Sequence, residues 1–418
     1  MHYTTLKKDG SFYSTIGPYS ERRILKFTYR IICCEEKGGK ELNHDFYRTL
    51  FPILATHTHL ASCSQGALAK PVSRAIEEYQ NSLLLSGSNW NEAISKVAET
   101  RVKFAELIGA ETDEVAVLCS VSDAISAIAT SLPYQQEKNK IVFTDIDFPT
   151  VSHIWFAQEP FKDNISVIRS SNGEIPLEQY EKEITTDTLI TCIPHVNYYN
   201  GYKQNVREIA DIVHRKGSLL FVDAYQSAGH IPIDVKEMKI DILATGTRKY
   251  MLGIPGVAFL YIKKELAEQL KPRVTGWFGQ EQASSFDIYN PVSAMGARRF
   301  ETGTPSFISI YAAYEALRLL LEVGIGNIET YLKELTQFII FYGQEKGLHL
   351  IGPLSTDNRT SLMSFHVENA SKVEGMLRDK KIIVSVRKDV IRIAPHFYNI
   401  KDEIKYVIDE LAILTNGD

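Results

Sequence analysis

Three short apolar runs between Leu219 and Ile262 constrain the fold more than any other feature of the chain. Leu219-Leu220-Phe221-Val222 ends on Asp223, and Asp241-Ile242-Leu243-Ala244 leads into Thr245-Gly246-Thr247-Arg248-Lys249. Gly256-Val257-Ala258-Phe259-Leu260-Tyr261-Ile262 follows a Gly/Pro turn. Runs this short read as strands buried on both faces. Such strands belong to open α/β sheets, which gather ligand-binding groups beyond the carboxyl ends of their strands. A carboxylate, Asp223, and an amine, Lys249, therefore both stand where a ligand is expected.

The same strand–helix alternation runs through the preceding chain. His57 opens a short strand and a Ser/Gln/Gly turn, after which Pro71 starts an amphipathic helix. A helix from about Ala93 to Ile108 precedes a strand over Glu114–Leu118. Cys119-Ser120-Val121-Ser122-Asp123 then leads into a further helix. A hydroxyl-rich turn at a helix N-terminus offers free N–H groups to an anion; Ser there also serves as an ordinary cap. Strands at Lys140–Thr144 and Leu189–Asn197 and a helix over Val206–Lys216 complete the alternation. A mostly parallel sheet between helices is the expectation. Past Ile262 the pattern changes to a polar loop, then helices from about Ser309 to Lys346. The tail, with SLMSFHV, IIVSV, VIRIAPHFYN and a last helix, reads as a small αβ unit. Arg392 lies inside its apolar strand and needs a partner there.

With 418 residues, 44% of them hydrophobic, the chain can build two domains. A net charge of −5 gives no reason to invoke nucleic acid or a membrane surface. The five cysteines (Cys33, Cys34, Cys63, Cys119 and Cys192) form no CxxC pair, so neither a disulfide framework nor a zinc site is expected and a cytoplasmic setting fits. No apolar run is long enough to span a membrane. Without GxGxxG or GxxxxGK[ST], dinucleotide and P-loop chemistry are disfavoured.

One chemistry calls for an Asp and a Lys in this relation. Pyridoxal phosphate (PLP) is held as a Schiff base to a lysine, and its ring nitrogen is paired with a carboxylate. The flanking text, DAYQSAGHIPIDV and GTRKYMLGIPGVAFLYI, closely resembles the cofactor segment of the class V aminotransferase superfamily of fold-type I PLP enzymes. That group includes kynureninases, isopenicillin N epimerase and cysteine desulfurases. The resemblance extends weakly from about Leu60 to the C-terminus.

The resemblance implies roles residue by residue. Lys249 carries the cofactor and moves protons, Asp223 pairs with the ring nitrogen, and Gln226 meets the ring hydroxyl. The turn Ser120-Val121-Ser122 holds the phosphate, with Thr247 beside the lysine. Phe148, in the DFPT turn, stacks on the ring. Arg248 stands where family members often carry His. The GWFG loop with Trp277 and the RFETGTP loop with Thr304 complete the phosphate site of a second subunit, so a homodimer is implied. Arg392 clamps the α-carboxylate of an amino-acid substrate, as a planar guanidinium can. Gln65, with Cys63 and Ser64, faces the substrate, and one of Asn197, Tyr198 and Asn200 lies near the ring oxygen. Of these, Asn197 is the expected contact.

The implied architecture has an extension over 1–42, a segment 43–69 packing with the small domain, a large PLP-binding domain over 70–300, and a linker helix and small domain over 301–418. The expected activity is a PLP-dependent transformation of an amino acid, of the aminotransferase kind. The alternatives are a kynureninase-like lyase, an epimerase, or a PLP-binding regulator without turnover. A cysteine desulfurase is not expected, because no cysteine follows Cys192.

Overall fold

The computed structural model describes residues 43–416, except Ser88 and the segment 134–136; the extension read over 1–42 lies outside them. The central element is a seven-stranded sheet: β1 (Val115–Leu118), β2 (Lys140–Thr144), β3 (Ile165–Ile168), β4 (Thr188–Pro194), β5 (Leu219–Asp223), β6 (Ile242–Gly246) and β7 (Ala258–Ile262). Their order across the sheet is β1-β7-β6-β5-β4-β2-β3. Neighbouring strands from β6 to β3 run parallel, and β7 is antiparallel to both β1 and β6. The exception has a local cause. A parallel return needs a long crossover, usually helical, whereas residues 247–257 contain no helix and simply turn the chain back.

Alternate residues of each strand enter opposite cores, as the period of two requires. Val115, Val117, Val142, Ile193, Leu220, Val222, Leu243 and Phe259 pack with helices Trp90–Ile108, Val206–Arg215 and Phe307–Val323. Ala116, Leu118, Ile141, Phe143, Cys192, Phe221, Ala244 and Leu260 face helices Val121–Ser131, Pro149–Phe156 and Lys264–Gln269. This is an α/β fold with three layers. Asn89 and Asn205 cap the first two helices by accepting N–H bonds from Glu92 and Glu208. The edge strand β3 is only half buried, and its ISVI text carries little signal.

Gly324, with φ of +84°, turns Phe307–Val323 into Ile325–Glu345. Beyond these helices lies a four-stranded antiparallel sheet in the order Ser385–Arg387, Val390–Ile393, Met363–His366, Leu350–Ile351. The segment after α-helix His44–Arg48 reaches the same region. Thr58 and His59 pair in parallel with Ile382 and Ile383, and Ser62 N–H donates to the Ala394 carbonyl at 3.1 Å. The Cys63–Gln65 turn is thereby carried to the loop that bears Lys249, where Gly66 N–H donates to the Arg248 carbonyl at 2.8 Å. Glycine is required at that approach, because a Cβ on Gly66 would lie 2.5 Å from the Lys249 carbonyl oxygen.

Candidate active site

The carboxyl ends of β1, β4, β5 and β6 converge on a cavity of about 270 Å3, whose floor includes Ala258 at the start of β7. Asp223, the last residue of β5, is fixed by the Tyr225 N–H, which donates to Oδ1 at 2.8 Å. Burial pushes the Asp223 carboxyl up, and the Tyr225 N–H and the Lys249 amine pull it back.

Lys249 sits in the turn after β6. The turn is closed by the Leu252 N–H to the Lys249 carbonyl (3.1 Å) and the Gly253 N–H to the Thr247 carbonyl (2.9 Å). Leu252 is fully buried and held at φ of +59°, a conformation that costs a branched residue about 1–3 kcal/mol and often accompanies functional sites. The Lys249 amine stands 4.2 Å from the Tyr225 ring centre and 5.8 Å from that of Phe148. Burial lowers its pKa to about 8; Asp223 pulls it up, while Arg392 and Arg248 push it down. A substantial share of the amine is thus neutral and nucleophilic near pH 8.

Helix Val121–Ser131 brings its N-terminal residues to the wall of the same cavity. Ser120 caps it, its Oγ accepting from the Asp123 N–H at 3.1 Å. The Val121 and Ser122 amides belong to the first turn, which has no intrahelical acceptors. Ser122 and Thr150 bring hydroxyls to the same wall, 3.4 Å apart, and Arg248 lines it as well. Gln226 donates through Nε2 to the Cys63 carbonyl at 3.1 Å, while its buried Oε1 has no protein partner. The residues fit a ring cofactor with a phosphate arm: an anion cradle, a carboxylate, an unsatisfied amide and a buried amine line one cavity.

Arg392 lies next to this cavity. It is fully buried, with Nη1 donating to the Tyr198 carbonyl (2.7 Å) and Nη2 to Ser64 Oγ (3.0 Å) and Ser385 Oγ (2.6 Å). Its Nε has no partner, and among the described residues no carboxylate pairs with it. A buried cation with only neutral partners is a costly arrangement that an incoming carboxylate relieves.

Of the residues singled out in the sequence, Lys249, Asp223, Gln226, Phe148, Ser120, Val121 and Ser122 line one cavity. Thr247 is adjacent, its hydroxyl donating to the Ile254 carbonyl at 2.7 Å. Gln65 is exposed at the turn and donates to the Gly66 and Gly253 carbonyls. Asn197 turns away, donating to the Gly173 carbonyl and accepting from the Tyr199 N–H, and Tyr198 takes the place on the wall. Asn200 likewise donates to Gly173. Trp277 stacks on Trp90 with centroids 5.7 Å apart, and Thr304 is exposed; neither lines this cavity in the single chain. The wall also includes Cys119, Thr150, Tyr225 and Gly246, which the sequence did not single out. Tyr225 lies between Asp223 and Gln226 in the DAYQ run, a signal that was available. Its ring fills the space where Gly246 lacks a side chain, since a Cβ there would come within 2.4 Å of it.

The family model for class V aminotransferases matches residues 67–406. An uncharacterized aminotransferase, YcbU, of Bacillus subtilis is 54% identical over 369 residues, covering 88% of this chain and 97% of the relative. A probable cysteine desulfurase of Pyrococcus abyssi is 27% identical, covering 86% and 96%. Among solved structures, the apo cysteine desulfurase of Thermococcus onnurineus NA1 superimposes with a TM-score of 0.81 at 22% identity, over 91% of this chain and 100% of that one.

Proposed function

We infer the function from one premise: the chain belongs to the class V aminotransferase family, whose cofactor is pyridoxal 5'-phosphate. The reading is an enzyme that binds an amino acid and transfers its amino group. The observation that carries it is the placing of the Lys249 amine and the Asp223 carboxylate in one cavity. When bound, the cofactor supplies an electron sink for bonds at the substrate Cα.

This chain's own residues do the rest. Lys249 would hold the cofactor and would take and return the α-proton of a substrate; its lowered pKa suits both tasks. Asp223 keeps the ring nitrogen protonated. The Val121 and Ser122 amides, the Ser122 and Thr150 hydroxyls and Arg248 receive the phosphate. Phe148 and Tyr198, packed edge to face at 5.3 Å, wall off one side from water. Arg392 orients the substrate carboxylate, held by Ser64, Ser385 and the Tyr198 carbonyl.

Residues 70–300 form the cofactor-holding part in this reading, and 301–418 the smaller part. The strand pairing of Thr58 with Ile382 supports grouping 43–69 with the latter. The working unit is a homodimer in which Trp277 and Thr304 meet the partner's cofactor site. Free thiols at Cys63, Cys119 and Cys192 accord with a cytoplasmic setting, and no described helix is long and apolar enough to cross a membrane.

The test is direct. Purified protein should absorb in the visible, and an amino acid should shift that band while yielding an oxo acid. Borohydride should fix the cofactor to Lys249 and leave nothing fixed in Lys249→Ala. A fixed adduct on another lysine would sink the assignment. Elimination products in place of the oxo acid would favour a lyase, and inversion at Cα an epimerase.

A further inference from the structure

The mouth of the site carries more positive charge than the proposed chemistry has so far used. In the antiparallel pair Ser385–Arg387 and Val390–Ile393, Ser385 faces Arg392 and Arg387 faces Val390. Facing residues, and alternate residues along a strand, share one side of a sheet. Arg387 and Arg392 therefore project from the same side as diagonal neighbours, about 7–8 Å apart at the backbone. That side faces the cavity, because Arg392 reaches Ser64 and the Tyr198 carbonyl on it. Arg387 is exposed, and no hydrogen bond or carboxylate partner takes up its guanidinium among the described residues. It lies close enough to Arg392 and Arg248 to feel their positive charge. The nearby Asp389 carboxylate is occupied, accepting from the Tyr199 hydroxyl at 2.6 Å and lying 3.3 Å from His366 Nδ1.

The charges can be assigned one by one. Asp223 answers the ring nitrogen, Arg248 and the helix N-terminus answer a phosphate, and Arg392 answers the α-carboxylate. Arg387 is left over, one strand step farther out, where a substrate side chain would extend. We propose that Arg387 binds an anionic group at the end of the substrate's side chain, so that the enzyme takes acidic amino acids. The proposal rests on the preceding reading for the α-carboxylate at Arg392. A guanidinium suits carboxylate and sulfonate oxygens alike.

The test compares acidic substrates (aspartate, glutamate and the sulfonate cysteate) with alanine, norvaline and lysine on the holoenzyme. A parallel set of calorimetric titrations compares glutarate with butyrate, which lack the amine and cannot react. Acidic substrates should exceed neutral ones by at least about tenfold in kcat/KM, chiefly through KM, and glutarate should bind at least about tenfold more tightly than butyrate. Arg387→Ala should erase both preferences, Arg387→Lys should keep part of them, and Arg387→Glu should turn the selection towards lysine. Cysteate matching or exceeding aspartate, the carboxylate of the same chain length, would identify a sulfonate as the anion, and the reverse a carboxylate. A wild-type preference for neutral substrates, or an acidic preference that survives Arg387→Ala, overturns the proposal. If no amino acid reacts at all, the preceding reading fails, and the glutarate and butyrate affinities still decide the role of Arg387.

Discussion

The amine of Lys249 stands 4.2 Å from the centre of the Tyr225 ring, in a cavity where Asp223 is the only carboxylate on the wall among the described residues. The ring face favours the ammonium form, as does Asp223, yet burial outweighs both and leaves the pKa at about 8 instead of 10.5. The neutral amine therefore predominates above about pH 8. Capture of PLP by the apoprotein should speed up through that pH and then level off, as read from the growth of visible absorbance. A midpoint near 10 would show an ordinary, solvated lysine. The same shift means that the unfolded chain holds the extra proton between the two values, so the apoprotein should gain stability as pH rises through that window. Chemical denaturation at a series of pH values reads that slope.

Asp223 contributes charge more than packing. Asp223→Asn keeps the shape of the end of β5 and can still accept the Tyr225 N–H at 2.8 Å, but it presents a neutral partner to the ring nitrogen. Turnover should fall by about a hundredfold or more, the usual scale for losing a pre-placed electrostatic partner. PLP affinity should fall much less. Equal losses in both would reduce Asp223 to a binding residue.

The parts of this arrangement legible in the sequence are those in which one short run holds both a strand and its terminal polar residue. Asp223, Gln226 and Lys249 fall in such runs, and so do Ser120 to Ser122. The all-buried strands were readable for the same reason, being uniformly apolar. What escaped depends on side-chain direction at turns. Asn197 and Tyr198 are adjacent, and backbone bonds to Gly173 and Tyr199 decide which of them faces inward. The reversed β7 also escaped, because an apolar run does not encode strand direction. Arg392 was legible as an arginine that needs partners, but Ser64 is far from it in the chain, and Ser385, seven residues away, faces it only once the hairpin register is set.

Two loops show why a homodimer is expected. Glu301 is turned inward, pairing with Arg101 at 2.7 Å and accepting the Val117 N–H at 2.9 Å. That anchor leaves Gly303 and Thr304 at the surface. Nearby, Phe286, Ile288 and Tyr289 are 76%, 81% and 84% exposed, more contiguous apolar surface than a lone chain gains from showing to water. Sedimentation should give a dimer. Phe286→Glu combined with Ile288→Glu should yield monomers that hold PLP weakly. A fully active wild-type monomer would refute the shared site.

The last prediction is that this protein does not desulfurate cysteine, although desulfurases are among its relatives. Sulfur leaving a substrate cysteine must be accepted by a thiolate, and the resemblance to desulfurases implies that such a cysteine would stand on a loop just ahead of the carboxylate-binding arginine. Here the corresponding residues form a tight hairpin. Arg387 pairs directly with Val390, leaving only Lys388, at φ of +52°, and Asp389 to turn the chain. Tyr199 further pins Asp389, so there is neither a cysteine nor room for a loop to carry one. The remaining described thiols are poorly suited to the task. Cys192 is buried behind Trp155, whose indole N–H lies 3.3 Å from Sγ. Cys119 lines the cavity at the phosphate end, and burial and Asp123 push its thiol up, away from the reactive thiolate. Cys63 is buried beside Tyr250, and its carbonyl is held by Gln226. Incubation with cysteine and a reductant should release no more sulfide than free PLP does. Sulfide above that level, abolished by Cys63→Ser or Cys119→Ser, would identify a thiol acceptor and move the protein among the desulfurases.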